Sequence, residues 1–481
     1  MRTEAGGFSL CLKKPIILTH GIDEMKGAPD MSAILDRLTG SSQTPLKSTD
    51  GRTGRNNLCL LTGTAVRAMF LSSLLLTSVV AAPVSGLPLV KPEEVGMSSA
   101  RFQLITSTLR QYVDDGRIAG LVAGVSRHGK VVYLESMGFQ ETDSPGSEMR
   151  DDSIFQIRSM SKPITSLAVM QLVEQGRIGL QDPVADYIPS FADMRLFTDP
   201  SDFNSPTKAP SRLLTIEDLL LNMGGLSHRD GALYRSREVR SRADTLEQLV
   251  EKVTAVPLVA EPGTQWIYSI AATVLGRIVE IVSGQKFDEY LQQHIYRPLQ
   301  MADTAFYVPA EKVGRLARIY QVPRDDVPLT QVPEMEIPIT VNPPLLEGAA
   351  GMVSTVPDYL RFLQAFLNKG DLDGARVLSA EGVAQMTHNH IPDSALPIGF
   401  SPQSPMLDRG WGYGFSVVID KNASAFGVNN GEFGWNGSLG TFSWADPETG
   451  TIAVLMMQVV PSGAYNLSGI FKAMVYQTIT D

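Results

Sequence analysis

The chain has 481 residues and a formal net charge of −10; 43% of it is hydrophobic and 19% charged. That is the composition of a globular protein with a sizeable core, in one large domain or two smaller ones. The acidic balance argues against nucleic-acid binding, which calls for a basic face. The only cysteines are Cys11 and Cys59, so the main body of the chain has no disulfide, thiol nucleophile or thiolate zinc site.

Residues 1–86 read as a leader, of which 1–67 are rich in Gly, Ser, Thr and Lys/Arg, with weak hydrophobic periodicity. Within it, residues 69–82 form an apolar run too short to span a bilayer but of the length of a signal-peptide core, with small residues after it. A targeting segment, a disordered leader and a true start at Met69 all fit. The protein is expected to be secreted or periplasmic if 69–82 is a signal, and cytoplasmic otherwise. Residues 87–481 read as one domain with no internal repeat and no membrane-spanning helix.

Along that domain the pattern predicts a helix over 98–115, then strands near 119–126 and 131–136 joined by Arg127-His128-Gly129-Lys130. A helix is expected to start near Ser159 and to end at Gly176. Residues 191–212 form a Pro/Ser/Asp-rich loop. Residues 228–244, with five arginines and three acids, favour a solvated surface over a substrate entrance. Further helices are expected over 269–283 and 356–368, then strands near 413–419, 439–445 and 451–460 and a final helix. Strands at both ends with helices between them predict an α+β domain with one antiparallel sheet.

The six histidines include one close pair, His388 and His390, and no HExxH, so no metal site and no cofactor are expected. Gly124-xxxx-Gly129-Lys130 fails as a phosphate loop, because Val131 stands where a hydroxyl must hold magnesium. No GxSxG occurs either. Ser-x-x-Lys occurs at Ser159–Lys162, Ser205–Lys208 and Ser283–Lys286. Ser205 lies in the Pro-rich loop and Ser283 at a helix end. Ser159 follows the strand-like Ile154–Ile157 and opens an apolar helix, whose i, i+3 spacing lets Lys162 reach the serine hydroxyl. The structural alternative for Ser159 is a helix N-cap.

A serine hydroxyl needs a neighbouring base, and lysine serves only when burial or nearby positive charge makes it neutral. Tyr268, just before the helix over 269–283, is a suitable second proton carrier; a buried structural tyrosine is the alternative. The Gly434-Trp-Asn-Gly-Ser-Leu-Gly440 stretch would let a ligand approach the backbone closely, or be a plain glycine-rich loop.

Together Ile154–Pro163, Trp266–Ser269 and Gly434–Gly437 resemble the three motifs of the serine β-lactamase/penicillin-binding superfamily. The closer similarity is to family VIII carboxylesterases, class C β-lactamases and the lovastatin-pathway acyltransferase, over roughly 90–460. The resemblance implies an antiparallel sheet flanked by helices plus a mainly helical subdomain, with the site between them. It implies an acyl-enzyme on Ser159, a Lys162/Tyr268 proton relay, and an oxyanion hole of the Ser159 and Ser438 backbone N–H groups. Trp435, Asn436, Gly437 and Ile270 fall at substrate-binding positions. Ile270 stands where the lactamases have Asn, Trp435 where they have Lys, and Asn436 replaces the middle glycine of the esterase pattern.

The expected substrate is a small ester, handled by a carboxylesterase, with no nucleic-acid partner. The alternatives are an acyltransferase using the same acyl-enzyme, a β-lactamase or D-amino peptidase, and a catalytically silent sensor or binding protein.

Overall fold

A computed structural model of the protein describes residues 86–324, 327–333 and 337–481. The leader and its apolar run at 69–82 therefore lie outside the described residues, Gly86 excepted.

The central element is a seven-stranded sheet made from β1 (Gly120–Arg127), β2 (Lys130–Gly138), β3 (Arg409–Trp411), β4 (Ser416–Val418), β5 (Phe433–Gly437), β6 (Thr441–Asp446) and β7 (Thr451–Met457). Its order is β3-β4-β5-β6-β7-β1-β2, and every pairing is antiparallel. Early and late strands thus meet at β1–β7, where Leu121 faces Met457 and Arg127 faces Thr451. The β1–β2 turn works because His128 and Gly129 both adopt positive φ, 51° and 78°, as a two-residue hairpin needs.

All residues of β1 are buried, so both faces of the sheet are covered. The period of two divides them: Leu121, Ala123 and Val125 join one core with Leu455 and Met457, while Val122 joins the other with Val454 and Met456. The first core is closed by α1 (Ser99–Asp114) and by a helix over Leu467–Thr478. The second holds α2 (Ser161–Glu174), α3 (Ala271–Ser283) and α4 (Val356–Leu367). Gly124 lets α4 come close; a Cβ there would lie 2.6 Å from Val356 Cγ1. Its glycine serves packing rather than phosphate binding.

Between β2 and β3 the chain builds a mainly helical part that includes Ile216–Leu220, Leu246–Thr254 and α3, as the α+β expectation requires. Residues 191–212 are more ordered than a loop: they hold the end of a 3-10 helix, Pro189–Asp193, and the strand pair Leu196–Phe197 and Thr207–Lys208. The stretch 434–440 is likewise not a plain loop. Its first half is β5, and only Ser438, Leu439 and Gly440 turn into β6. Among the described residues no helix is long and apolar enough to cross a membrane.

Candidate active site

The residues of α2 from Ser161 to Leu172 are buried on every face, so it runs through the core rather than along the surface. Ser159 sits half-buried in the 3-10 turn Arg158–Met160 that precedes it, and is not the helix cap. The turn is tight: Arg158 adopts φ 46°, a left-handed conformation uncommon for a residue with a side chain. Several bonds hold it. Ser161 Oγ donates to Arg158 O at 2.7 Å and accepts from Met352 N at 3.2 Å, and Tyr359 Oη donates to Met160 O at 2.9 Å. Upstream, Phe155–Gln156 pairs with Val353–Ser354.

β5 closes on this turn. A Cβ at Gly437 would lie 2.3 Å from Ile157 O, and Thr441 Oγ1 donates to the same carbonyl at 3.2 Å. Ser438, the next residue, begins the β5–β6 turn and is exposed. Asn436 is exposed and Trp435 is buried.

Lys162, in the first turn of α2, is 2% exposed. Its Nζ donates to Ala349 O at 2.9 Å and lies 4.4 Å from the centroid of the Tyr268 ring. Burial holds its ammonium pKa below the ordinary lysine value of 10.5. The Tyr268 hydroxyl accepts from Trp435 Nε1 at 2.8 Å, which joins the second motif to the third. The Tyr268 segment is fixed by Asn222, whose Oδ1 accepts from Ser269 N at 3.2 Å and from Ser269 Oγ at 3.1 Å, and whose carbonyl accepts from Ile267 N at 2.8 Å. Ile270 is 0% exposed and packs in the core, away from any ligand-accessible surface.

The other Ser-x-x-Lys pairs are built differently. Ser205 Oγ donates to Asp199 O at 2.8 Å, and Lys208 pairs with Glu261 at 2.9 Å on an exposed strand. Ser283 Oγ accepts from Gln285 N at 3.1 Å at the end of α3.

Two groups around the site were missed in the sequence. One is an aromatic wall: His228, Trp266, Phe400 and Trp411 pack around Tyr268 at centroid distances of 5.8, 5.8, 5.3 and 6.3 Å. The spread of these residues over nearly two hundred positions left no local pattern to read. The other corrects the expectation of a solvated surface over 228–244. Arg229 and Arg240 turn inward to the buried Glu347, with Arg229 Nη1 at 2.7 Å from Oε1 and Arg240 Nε and Nη2 at 2.9 and 2.7 Å from Oε1 and Oε2. Burial alone would raise the Glu347 pKa, but the two guanidiniums hold it well below the usual carboxylate range. A charged run is ordinarily solvated; a single distant glutamate reverses that here.

The β-lactamase family's sequence profile matches residues 105–472. The chain belongs to the β-lactamase family. Within it, the chain is similar to esterase EstB of Burkholderia gladioli, 29% identical over 377 residues that cover 73% of this chain and 89% of EstB. It is also similar to acyltransferase calJ of Penicillium decumbens, 25% identical and covering 72% of this chain and 85% of calJ. Among solved structures, EstCE1, described as a hydrolase with promiscuous acyltransferase activity, superposes with a TM-score of 0.68 at 25% identity, over 78% of this chain and 98% of EstCE1. This family membership and these relatives support a serine hydrolase of the carboxylesterase type.

Proposed function

We propose that the protein hydrolyses small esters through an acyl-enzyme on Ser159, with Lys162 and Tyr268 as its proton relay. The observation that carries this is the buried Lys162 ammonium over the Tyr268 ring, one helical turn from Ser159. A desolvated lysine loses its proton more readily than one in water, which suits it to act as a base.

In the proposed reaction the Ser159 Oγ proton passes to the Lys162/Tyr268 pair as Oγ attacks the ester carbonyl. The oxyanion is held by the backbone N–H groups of Ser159 and Ser438, a reading supported by the close approach of Gly437 to the Ile157 carbonyl. The bond between the acyl carbon and the alcohol oxygen then breaks, and the proton returns to that departing oxygen. Water releases the acyl group by the reverse path. Trp435 steadies the Tyr268 hydroxyl, and the exposed Phe400 beside Tyr268 offers apolar surface to an acyl or alcohol group. Asn436 and Gly437 would line the same edge of β5. The acyl-transfer reading uses the same acyl-enzyme with an alcohol or amine in place of water, and is favoured by the likeness to calJ and EstCE1.

A serine-reactive phosphonate followed by mass spectrometry tests the assignment: the adduct is expected on Ser159, and an adduct on Ser205 or Ser283 overturns it. Lys162→Ala and Tyr268→Phe are each expected to lower the acylation rate by orders of magnitude, and the double variant to be little worse than the worse single one, as for groups acting as a unit. Product analysis with and without added alcohol separates hydrolysis from transfer.

A further inference from the structure

The aromatic wall around Tyr268 has one member that stands open to solvent. Trp266, Trp411 and Trp435 are buried, whereas Phe400 is 62% exposed. Phe400 lies in the turn of a short hairpin in which Ile398 faces Met406 and Gly399 faces Pro405. The flanks of that hairpin are anchored: Ile398 is buried, and Leu396 and Met406 pack on the core. The ring is therefore held out by a fixed support.

A lone exposed ring says little by itself; the neighbours of this one say more. Phe400 meets the Tyr268 ring edge-on, with centroids 5.3 Å apart and planes at 87°. Trp266 and Trp435 lie 6.2 and 6.1 Å away, so one side of the ring is already taken by the site and the other is free. A group that rests on Phe400 thus shares the Tyr268 end of the site. The chemistry of Tyr268 decides which half of an ester that is. Its hydroxyl oxygen already accepts from Trp435 Nε1 at 2.8 Å, which leaves its own proton to be given away. In the proposed relay that proton goes to the departing alcohol oxygen, so the alcohol half lies at Tyr268.

We propose that Phe400 determines specificity on the leaving-group side, and that the substrate is an ester whose alcohol half carries an aromatic ring, packed against Phe400 beside Tyr268. An aromatic ring gains an edge-to-face or offset contact there beyond the burial of its area, and a saturated ring of the same size does not. The proposal rests on the ester-hydrolase reading above and adds the nature of the alcohol to it.

The test varies one half of the ester at a time. Benzyl butyrate and cyclohexylmethyl butyrate differ only in the ring of the alcohol; ethyl phenylacetate and ethyl cyclohexylacetate differ only in the ring of the acyl group. The wild-type protein is expected to favour the benzyl ester by about fivefold or more in kcat/KM, the scale of one aromatic pair, and to show no comparable preference in the acyl pair. Phe400→Leu is expected to abolish the benzyl preference, and Phe400→Trp to retain it. Because the ring is exposed, neither change disturbs the core, and circular dichroism checks that both variants fold. Equal rates for the two butyrates in the wild type overturn the proposal. So does an aromatic preference of the same size in the acyl pair, or a benzyl preference that survives Phe400→Leu. Failure of the hydrolase reading shows itself separately: phosphonate labelling at Ser159 together with equal butyrate rates sinks the Phe400 assignment alone, whereas labelling elsewhere sinks both.

Discussion

Trp435 and Ile270 stand where β-lactam-binding relatives are expected to have a lysine and an asparagine. Here the Trp435 indole donates to the Tyr268 hydroxyl, and Ile270 is packed in the core. Neither side chain can pair with the carboxylate or the amide of a penicillin. An unpaired buried polar group costs about 1–3 kcal/mol, and two such losses weaken binding by roughly two orders of magnitude or more. A short aryl ester is therefore expected to exceed a penicillin in kcat/KM, and the reverse order would sink the esterase reading. In the proposed relay Lys162 sets the pH dependence. Only its neutral form accepts a proton, and burial holds its pKa below 10.5. The profile of kcat/KM for a neutral ester should thus fall as pH drops through an apparent pKa below the ordinary lysine value, a limb that Lys162→Ala removes. The sign for stability is the same: between the lowered pKa and 10.5 the unfolded chain binds more protons, so stability rises with pH there. Ser159, Lys162 and Tyr268, the residues proposed to act, stood out in the sequence because spacing and helix context separate one Ser-x-x-Lys from two others. The left-handed backbone at Arg158 and the inward turn of Arg229 could not, since each depends on a partner far along the chain.

β5 is the element that joins the motifs. It carries Trp435 to Tyr268 and Gly437 to the carbonyl of Ile157. A methyl group at Gly437 would lie 2.2 Å from Thr441 Oγ1 and 2.3 Å from Ile157 O, so strand and turn must move apart. Gly437→Ala is expected to lower kcat about a hundredfold, the scale of an ångström of misplacement at a reacting centre. Measured kcat and the far-ultraviolet circular dichroism spectrum check this together: lost activity with a retained spectrum is the expected outcome, and near-normal kcat contradicts the role given to β5. This strand was hidden in the sequence because two of its five residues are glycines, which are depleted in strands and suggest a loop. The long periodic helices were legible: 98–115, 269–283 and 356–368 became Ser99–Asp114, Ala271–Ser283 and Val356–Leu367. So were β1 and β2, whose turn residues announce the hairpin.

At the scale of the whole molecule, the domain is anchored near its beginning by Leu87, which is 3% exposed in the core, and by Val90, whose N–H donates to Val131 O at 3.0 Å. We propose that residues 1–86 are dispensable. A chain beginning at Leu87 is expected to melt at an unchanged temperature and keep its kcat/KM; loss of both would mean that the leader packs on the domain. The antiparallel α+β class was legible because strand patterns cluster at the two ends of the domain, but the pairing of β1 with β7 was not, since no local signal links segments so far apart. That pairing has a consequence during synthesis. A ribosome releases β1, Ser159, Lys162 and Tyr268 long before β7, so the growing polypeptide already holds its proposed catalytic side chains while one edge of β1 has no neighbour. An open edge on a strand that is apolar from Leu121 to Val125 and buried throughout in the finished fold invites pairing with other chains. The nascent protein must pass through a sticky, catalytically silent stage, which ends only when β7 emerges and zips the sheet shut.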